Sequence, residues 1–273
     1  MPELPEVETI RRTLEQHVQG VWIKDVQIYY SSVVKGWEGQ EFADVVKGRQ
    51  ITSIERRGKY LLINLDQSWS ILAHMRMTGR LIYYPAQYQV AKHTHVVFKL
   101  DSGELHFADT RKFGRLQLVP TEHKLEHPSL LKLGPEPLEA EFTPEVLGQS
   151  LSRKKVNIKA FLLDQTMVAG LGNIYVDEAL FRAGILPERG TQTLTEVEVG
   201  KLYSSMRQVL WAGIEAQGTS FRDYRDANGE KGSFQVALQV YGRGQEPCQI
   251  CGKILERKKL AGRTTVFCTN CQK

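Results

Sequence analysis

The chain has 273 residues, 41% hydrophobic and 25% charged, with a formal net charge of +5 and a pI near 8.9. That length accommodates two domains, each with its own core, and no apolar run reaches membrane-spanning length. The opening MPELPEVETIRR is acidic then basic, with no continuous apolar stretch, so it is not a secretory signal. A cytoplasmic chain with reduced thiols is expected.

Residues 5–18 have the pattern of an amphipathic helix, with Val7, Ile10, Leu14 and Val18 on one stripe and Pro5 in the first turn. From Trp22 to Val119 the pattern changes to short β segments: KDVQIYY, YLLINL, SILAHM, HVVFKL, ELHFAD and GRLQLV. Asp101-Ser102-Gly103 is a hairpin turn between two of them. Such spacing predicts an antiparallel β-sandwich or flattened barrel. Pro120, Pro128, Pro135 and Pro137 mark a change of regime, after which helical signals dominate. A helix is expected from Asn173 to about Ala183, closed by Gly184. Thr195-x-x-Glu198 is a capping box opening another. The fold class is α+β, with regions 1–131, 132–236 and 237–273.

All four cysteines lie near the end, as Cys248-x-x-Cys251 and Cys268-x-x-Cys271 separated by sixteen residues. Two such turns supply a tetrahedral sulfur shell suited to one Zn²⁺; two disulfides are the alternative. The intervening KILERKKLAGRTTVF has the length of a basic hairpin turning at Ala261-Gly262. Basic residues cluster at Arg56, Arg57 and Lys59; at Arg111, Lys112 and Arg115; at Arg153, Lys154, Lys155 and Lys159; and at Arg257, Lys258, Lys259 and Arg263. Four clusters beside a zinc hairpin favour phosphate contacts.

Removal of Met1 would leave Pro2 as a secondary amine, able to form an iminium with a masked aldehyde. The helix dipole disfavours its protonated form, while Glu3 and Glu6 lie close enough to move protons but pull its pKa upward. On these residues alone, an ordinary Pro- and Glu-rich helix start is the better explanation of the pattern. Gly170-Leu171-Gly172-Asn173 before a helix suits close approach to a phosphate but lacks the partners of a dinucleotide fingerprint. In DTRKFG, Arg111 could read a base edge and Phe113 could wedge between base pairs; Met77 in HMRMTG is a second possible wedge. His93 and His95 in KHTHV have no carboxylate partner nearby in sequence, which favours polar or phosphate-donating roles over a metal pair.

MPELPEVETIRR, RRGKYLL, HMRMTG, KHTHV, DTRKFG, LGPEPL, GLGNIY, FQVALQVYGR and the Cys quartet, in that order, resemble the bacterial formamidopyrimidine-DNA glycosylases, the MutM-type 8-oxoguanine repair enzymes. The resemblance covers essentially the whole chain. It implies a β-sandwich with an N-terminal helix, a helix-two-turn-helix domain and a zinc hairpin. It also implies damaged duplex DNA as partner, excision of oxidised purines and scission of the abasic strand by β,δ-elimination. Pro2 would be the Schiff-base nucleophile, Glu3 the acid/base, Lys59 the proton-transfer residue of β-elimination and Arg263 the residue of δ-elimination. His93, Arg111, Lys154, Asn173 and Tyr241 match DNA-contacting positions. Met77, Arg111 and Phe113 would fill the gap left by the flipped base. One structural Zn²⁺ on Cys248, Cys251, Cys268 and Cys271, no nucleotide cofactor, a monomer and a nucleoid-associated cytoplasmic location complete the expectation. Gly218–Phe234 would be a mobile loop over the extruded base. The rivals are an endonuclease VIII-type enzyme acting on oxidised pyrimidines and a non-catalytic zinc protein that binds DNA damage.

Overall fold

The computed structural model describes all 273 residues and divides into two compact units, Met1–Leu131 with Ala216–Gln235, and Lys132–Glu215 with Val236–Lys273. The first unit opens with helix α1 (Leu4–Val18), whose Val7, Ile10, Leu14 and Val18 are buried as their spacing predicts. Strand β1 (Ile23–Ile28), the two-residue β2 (Val34–Lys35), helix α2 (Gly39–Val46) and strands β3 (Ile51–Arg57), β4 (Tyr60–Leu65), β5 (Trp69–His74), β6 (Gly79–Tyr84), β7 (Thr94–Leu100), β8 (Gly103–Asp109) and β9 (Arg115–Pro120) follow, then a single helical turn, α3 (Pro128–Leu131).

Two sheets form, ordered β1-β7-β8-β6 and β2-β9-β5-β4-β3. Only the β2–β9 pair is parallel. Inward residues of both sheets, among them Val96, Phe98, Leu105 and Phe107 from one and Ile54, Ile63, Ile71 and Leu116 from the other, share a core with α1. This is the sandwich the β segments imply. Burying such alternating apolar faces is the main force holding the layers together. Strand β3 carries Glu55, Arg56 and Arg57, and its charge hid a strand whose Ile51 and Ile54 are buried.

The second unit contains α4 (Pro144–Ser152), α5 (Ile158–Leu163), α6 (Asn173–Ala183), α7 (Glu196–Glu215) and a two-stranded hairpin, β10 (Glu256–Leu260) with β11 (Arg263–Phe267). Thr195 and Glu198 make the reciprocal bonds of the expected capping box. Gly184 closes α6 in the left-handed region, at φ 72°. Helices α6 and α7 pack closely because Gly213 has no side chain: a Cβ there would lie 2.5 Å from the fully buried Tyr175 ring.

Packing groups the chain differently from the three regions expected. Residues 216–235 belong with the N-terminal unit, and the zinc hairpin with the helices. The 218–234 segment, whose composition suggests mobility, is packed in part against the sandwich. Tyr224 and Ala227 enter the sandwich core, the Ala227 N–H donates to Thr13 Oγ1 at 3.2 Å, and the Tyr224 hydroxyl donates to the Glu6 carbonyl at 3.3 Å. A few apolar groups anchor a segment that glycine and polar residues dominate; Phe221 and Arg222 are exposed, as are Asn228, Glu230, Lys231 and Ser233.

Candidate functional site

The start of the chain is held by a carboxylate pair. Glu3 is the N-cap of α1, its carboxylate accepting the Glu6 N–H, while Glu6 accepts the Glu3 N–H at 2.8 Å. The other oxygen of Glu6 accepts the Thr219 N–H at 2.7 Å. Pro2, Glu3 and Glu6 are all buried, whereas Met1 is exposed. A capping box normally satisfies orphan helix N–H groups; here it lies directly after Pro2.

Lys59, 5% exposed, sits in the β3–β4 turn, which Gly58 enters at φ 57°. Arg56, just before that turn, donates to Glu8 on α1 at 3.1 Å and to the Gly58 carbonyl at 3.2 Å. Burial opposes ionisation of Glu8, yet hydrogen bonds from Arg11 and Arg12 and the charge of Arg56 hold its carboxyl below the ordinary range. One ion-paired cluster thus ties the helix that starts with Pro2 and Glu3 to the turn that carries Lys59.

His74, at the end of β5, went unread in the sequence. It is buried, its Nδ1 accepts the Arg76 N–H at 2.9 Å, and its ring meets Tyr60 edge-on at 4.4 Å. Burial, then the charges of Arg76 and Lys59, depress its pKa to about 3. The imidazole is therefore neutral at physiological pH. Its place as the first residue of HMRMTG, a motif already singled out, was the available signal. Because the folded pKa lies below the unfolded value of 6.5, the unfolded chain binds the extra proton between about pH 3 and 6.5. Stability contributed by neutral His74 is thus complete above pH 6.5 and lost as pH falls through this window, by at most about 1.4 kcal/mol per pH unit. Urea titrations at pH 4 to 7 should show this slope, and His74→Asn should flatten it; an equal slope in the variant would contradict the assignment.

Two loops of the same unit are fastened by one residue. Asp109 is 1% exposed. Its Oδ1 accepts the Arg111 N–H at 3.1 Å and the Thr78 hydroxyl, and its Oδ2 accepts the Gly114 N–H at 2.6 Å. Gly114 is required because a Cβ would strike Phe107 at 2.6 Å. The turn bearing Met77 and the turn bearing Arg111 and Phe113 are joined in this way. The Arg111 guanidinium lies 4.8 Å from the Phe113 ring centre, and Phe113 is 47% exposed. His93 borders this loop, its carbonyl accepting the Asp109 N–H at 2.9 Å, while His95 is buried with Nε2 2.7 Å from the Asp109 carbonyl.

In the second unit, Asn157 caps α5 by accepting the Ala160 N–H at 2.7 Å, and Gly172 is the N-cap of α6. The turns between α5 and α6 include Gly170 at φ 96°, giving a helix-two-turn-helix. Asn173, at the first residue of α6, donates to the Thr264 carbonyl at 2.9 Å; its buried Oδ1 has no hydrogen-bond partner. Tyr241 is placed by Glu178, whose carboxylate accepts the Gln239, Val240 and Tyr241 N–H groups at 2.9, 2.9 and 2.8 Å. Asn173, Tyr241, Arg257 and Thr264 line a cavity of about 260 Å³. Lys154 and Arg263 are exposed.

The four cysteine sulfurs lie within 4.8 Å of one another, Cys248–Cys271 at 3.9 Å and Cys251–Cys268 at 3.5 Å. Tetrahedral Zn–S bonds of about 2.3 Å put sulfurs about 3.8 Å apart, whereas a disulfide needs about 2.0 Å. The donors fit one structural Zn²⁺, and four sulfurs leave no open coordination position for water.

Three family models match the chain: the formamidopyrimidine-DNA glycosylase N-terminal domain over residues 1–116, the H2TH domain of the same glycosylases over 133–225, and a zinc finger found in FPG and IleRS over 245–273. Formamidopyrimidine-DNA glycosylases of Desulfitobacterium hafniense and Pelotomaculum thermopropionicum are 61% and 49% identical, covering 100% of this chain and 100% and 99% of theirs. A Lactococcus lactis FPG variant crystallised with Fapy-dG-containing DNA superposes with a TM-score of 0.94 at 39% identity, over the full length of both chains. The Lactococcus enzyme bound to abasic-site DNA gives 0.94 at 38%, over 99% of both chains.

Proposed function

Since the chain belongs to the formamidopyrimidine-DNA glycosylase family and is a zinc-containing DNA glycosylase of base excision repair, we propose that it excises oxidised purines, 8-oxoguanine and formamidopyrimidines, from duplex DNA and then cleaves the strand at the abasic sugar. A base inside the stack is out of reach, so the lesion is extruded at a cost of a few kcal/mol. With Met1 removed, the Pro2 nitrogen bonds to C1′ of the deoxyribose as the base departs and the sugar ring opens to an iminium. Glu3 moves the proton on ring opening. Lys59 serves the elimination that breaks the C3′–O bond, and Arg263 the one that breaks the C5′–O bond.

His93, Arg111, Lys154, Asn173 and Tyr241 hold the backbone, with Met77, Arg111 and Phe113 occupying the vacated stack. Functionally, residues 1–131 carry the amine, 132–236 the helix-two-turn-helix and 237–273 the zinc hairpin. The protein works as a monomer in the cytoplasm, on nucleoid DNA; none of its helices is long and apolar enough to cross a membrane.

The observation that carries this reading is Glu3 and Glu6 locking the helix start directly after the buried Pro2. PELPE together with DTRKFG supports purines over the pyrimidine-specific rival. A Lactococcus lactis FPG has nonetheless been crystallised with DNA containing an oxidised pyrimidine, so relative rates decide the question. Single-turnover excision should be faster on 8-oxoguanine opposite cytosine than on thymine glycol by at least about tenfold. The reverse order would transfer the chain to the pyrimidine class.

A further inference from the structure

Lys159 on α5 and Asp177 on α6 have side chains with no solvent exposure. Lys159 Nζ donates to Asp177 Oδ1 at 2.6 Å and to the Thr264 carbonyl at 3.3 Å. Asp177 Oδ2 accepts the Val266 N–H at 3.3 Å. Asn173 donates to the same Thr264 carbonyl at 2.9 Å.

The hairpin register explains why these groups need partners. Leu260 pairs with Arg263, Lys258 with Thr265 and Glu256 with Phe267. Alternate residues of an antiparallel pair direct their N–H and C=O toward the partner strand, so Thr264 and Val266 present theirs to the opposite side. That open edge must be satisfied by another strand, by water or by side chains. Here three side chains of α5 and α6 supply the need, beginning one residue after Arg263.

A buried ion pair is a costly way to join two helices, and apolar residues of similar volume usually hold them as well or better. What the charged pair adds is direction: its remaining donor and acceptor capacity reaches two specific backbone groups of β11. We infer that Lys159 and Asp177 are positioning residues for Arg263, fixing the strand edge so that the guanidinium at its start is presented at one height and angle to the abasic sugar and its phosphate. This rests on the reading of Arg263 as the residue of the second elimination.

The test uses the full-length, zinc-loaded protein on an 8-oxoguanine duplex, resolving base release, β product and δ product in single turnover. Lys159→Met combined with Asp177→Leu removes both charges together. Asp177→Asn is the milder second variant, because an amide offers one acceptor oxygen where the carboxylate uses two, one for Lys159 and one for Val266. Arg263→Ala is the control. The expected result is a δ step slowed about tenfold in the double variant and about threefold in Asp177→Asn, with base release and β-elimination changed less than about twofold and zinc content unchanged. An unaltered δ step in zinc-loaded variants, with Arg263→Ala impaired, would overturn the inference while sparing the role of Arg263. A proportional fall of all steps, or zinc lost from both variants, would make the pair purely structural and overturn it equally. A normal δ step in Arg263→Ala would remove the underlying reading and the inference with it.

Discussion

Pro2→Gly should reduce borohydride-trapped covalent adduct with an 8-oxoguanine duplex by at least about a hundredfold, with affinity for an uncleavable abasic analogue changed only a few-fold. After Met1 removal the variant still has a primary amine, so the effect isolates what the ring provides. A secondary amine yields an iminium that has no N–H proton to lose and stays electrophilic at any pH; a primary amine yields an imine that must be protonated first. Glycine also frees the φ angle that the proline ring restricts. Native levels of adduct in the variant would show that the ring is dispensable for adduct formation. Full activity in protein whose mass shows Met1 retained would place the nucleophile elsewhere.

Loss of the metal should have a comparably large effect on binding. Cys268 is fully buried, in a small cluster with Phe181, Val240, Leu255 and Val266. That cluster is too small to fold the hairpin without its ion, and structural zinc commonly contributes about 10 kcal/mol or more. Cys268→Ala, or chelation, should unravel β10–β11 and scatter Arg257, Lys258, Lys259 and Arg263. Affinity for damaged duplex should then fall by about a hundredfold at physiological salt, and the salt dependence of binding should become shallower by about one unit for each phosphate that is no longer neutralised. Anisotropy titrations across salt concentrations, with circular dichroism to follow the rest of the chain, would measure both. Native affinity in zinc-free protein would show that the hairpin does not touch DNA.

Much of this was legible in the sequence because it depends on local rules. The stripe of α1, the Thr195–Glu198 box, the Gly184 cap and the cysteine spacing each follow from neighbours a few residues apart, and the structure places all of them as expected. What was not legible depends on distant partners. Residues 216–235 contain little apolar material, and nothing local announces that Tyr224 and Ala227 enter the core built by residues 7–118. Lys159 looked like one more member of a basic cluster, yet its charge is entirely withdrawn from solvent. His74 acquires its character from burial first, then from the charges of Arg76 and Lys59, once β4 and β5 pair.

One carboxylate, that of Asp109, bonds Thr78 beside Met77 as well as the backbone of Arg111 and Gly114, so the two turns share a common handle. On the proposed reading of Met77, Arg111 and Phe113 as the groups that enter the vacated stack, the two prongs would advance together, and interrogation of the helix would be a single yes-or-no event instead of two graded ones.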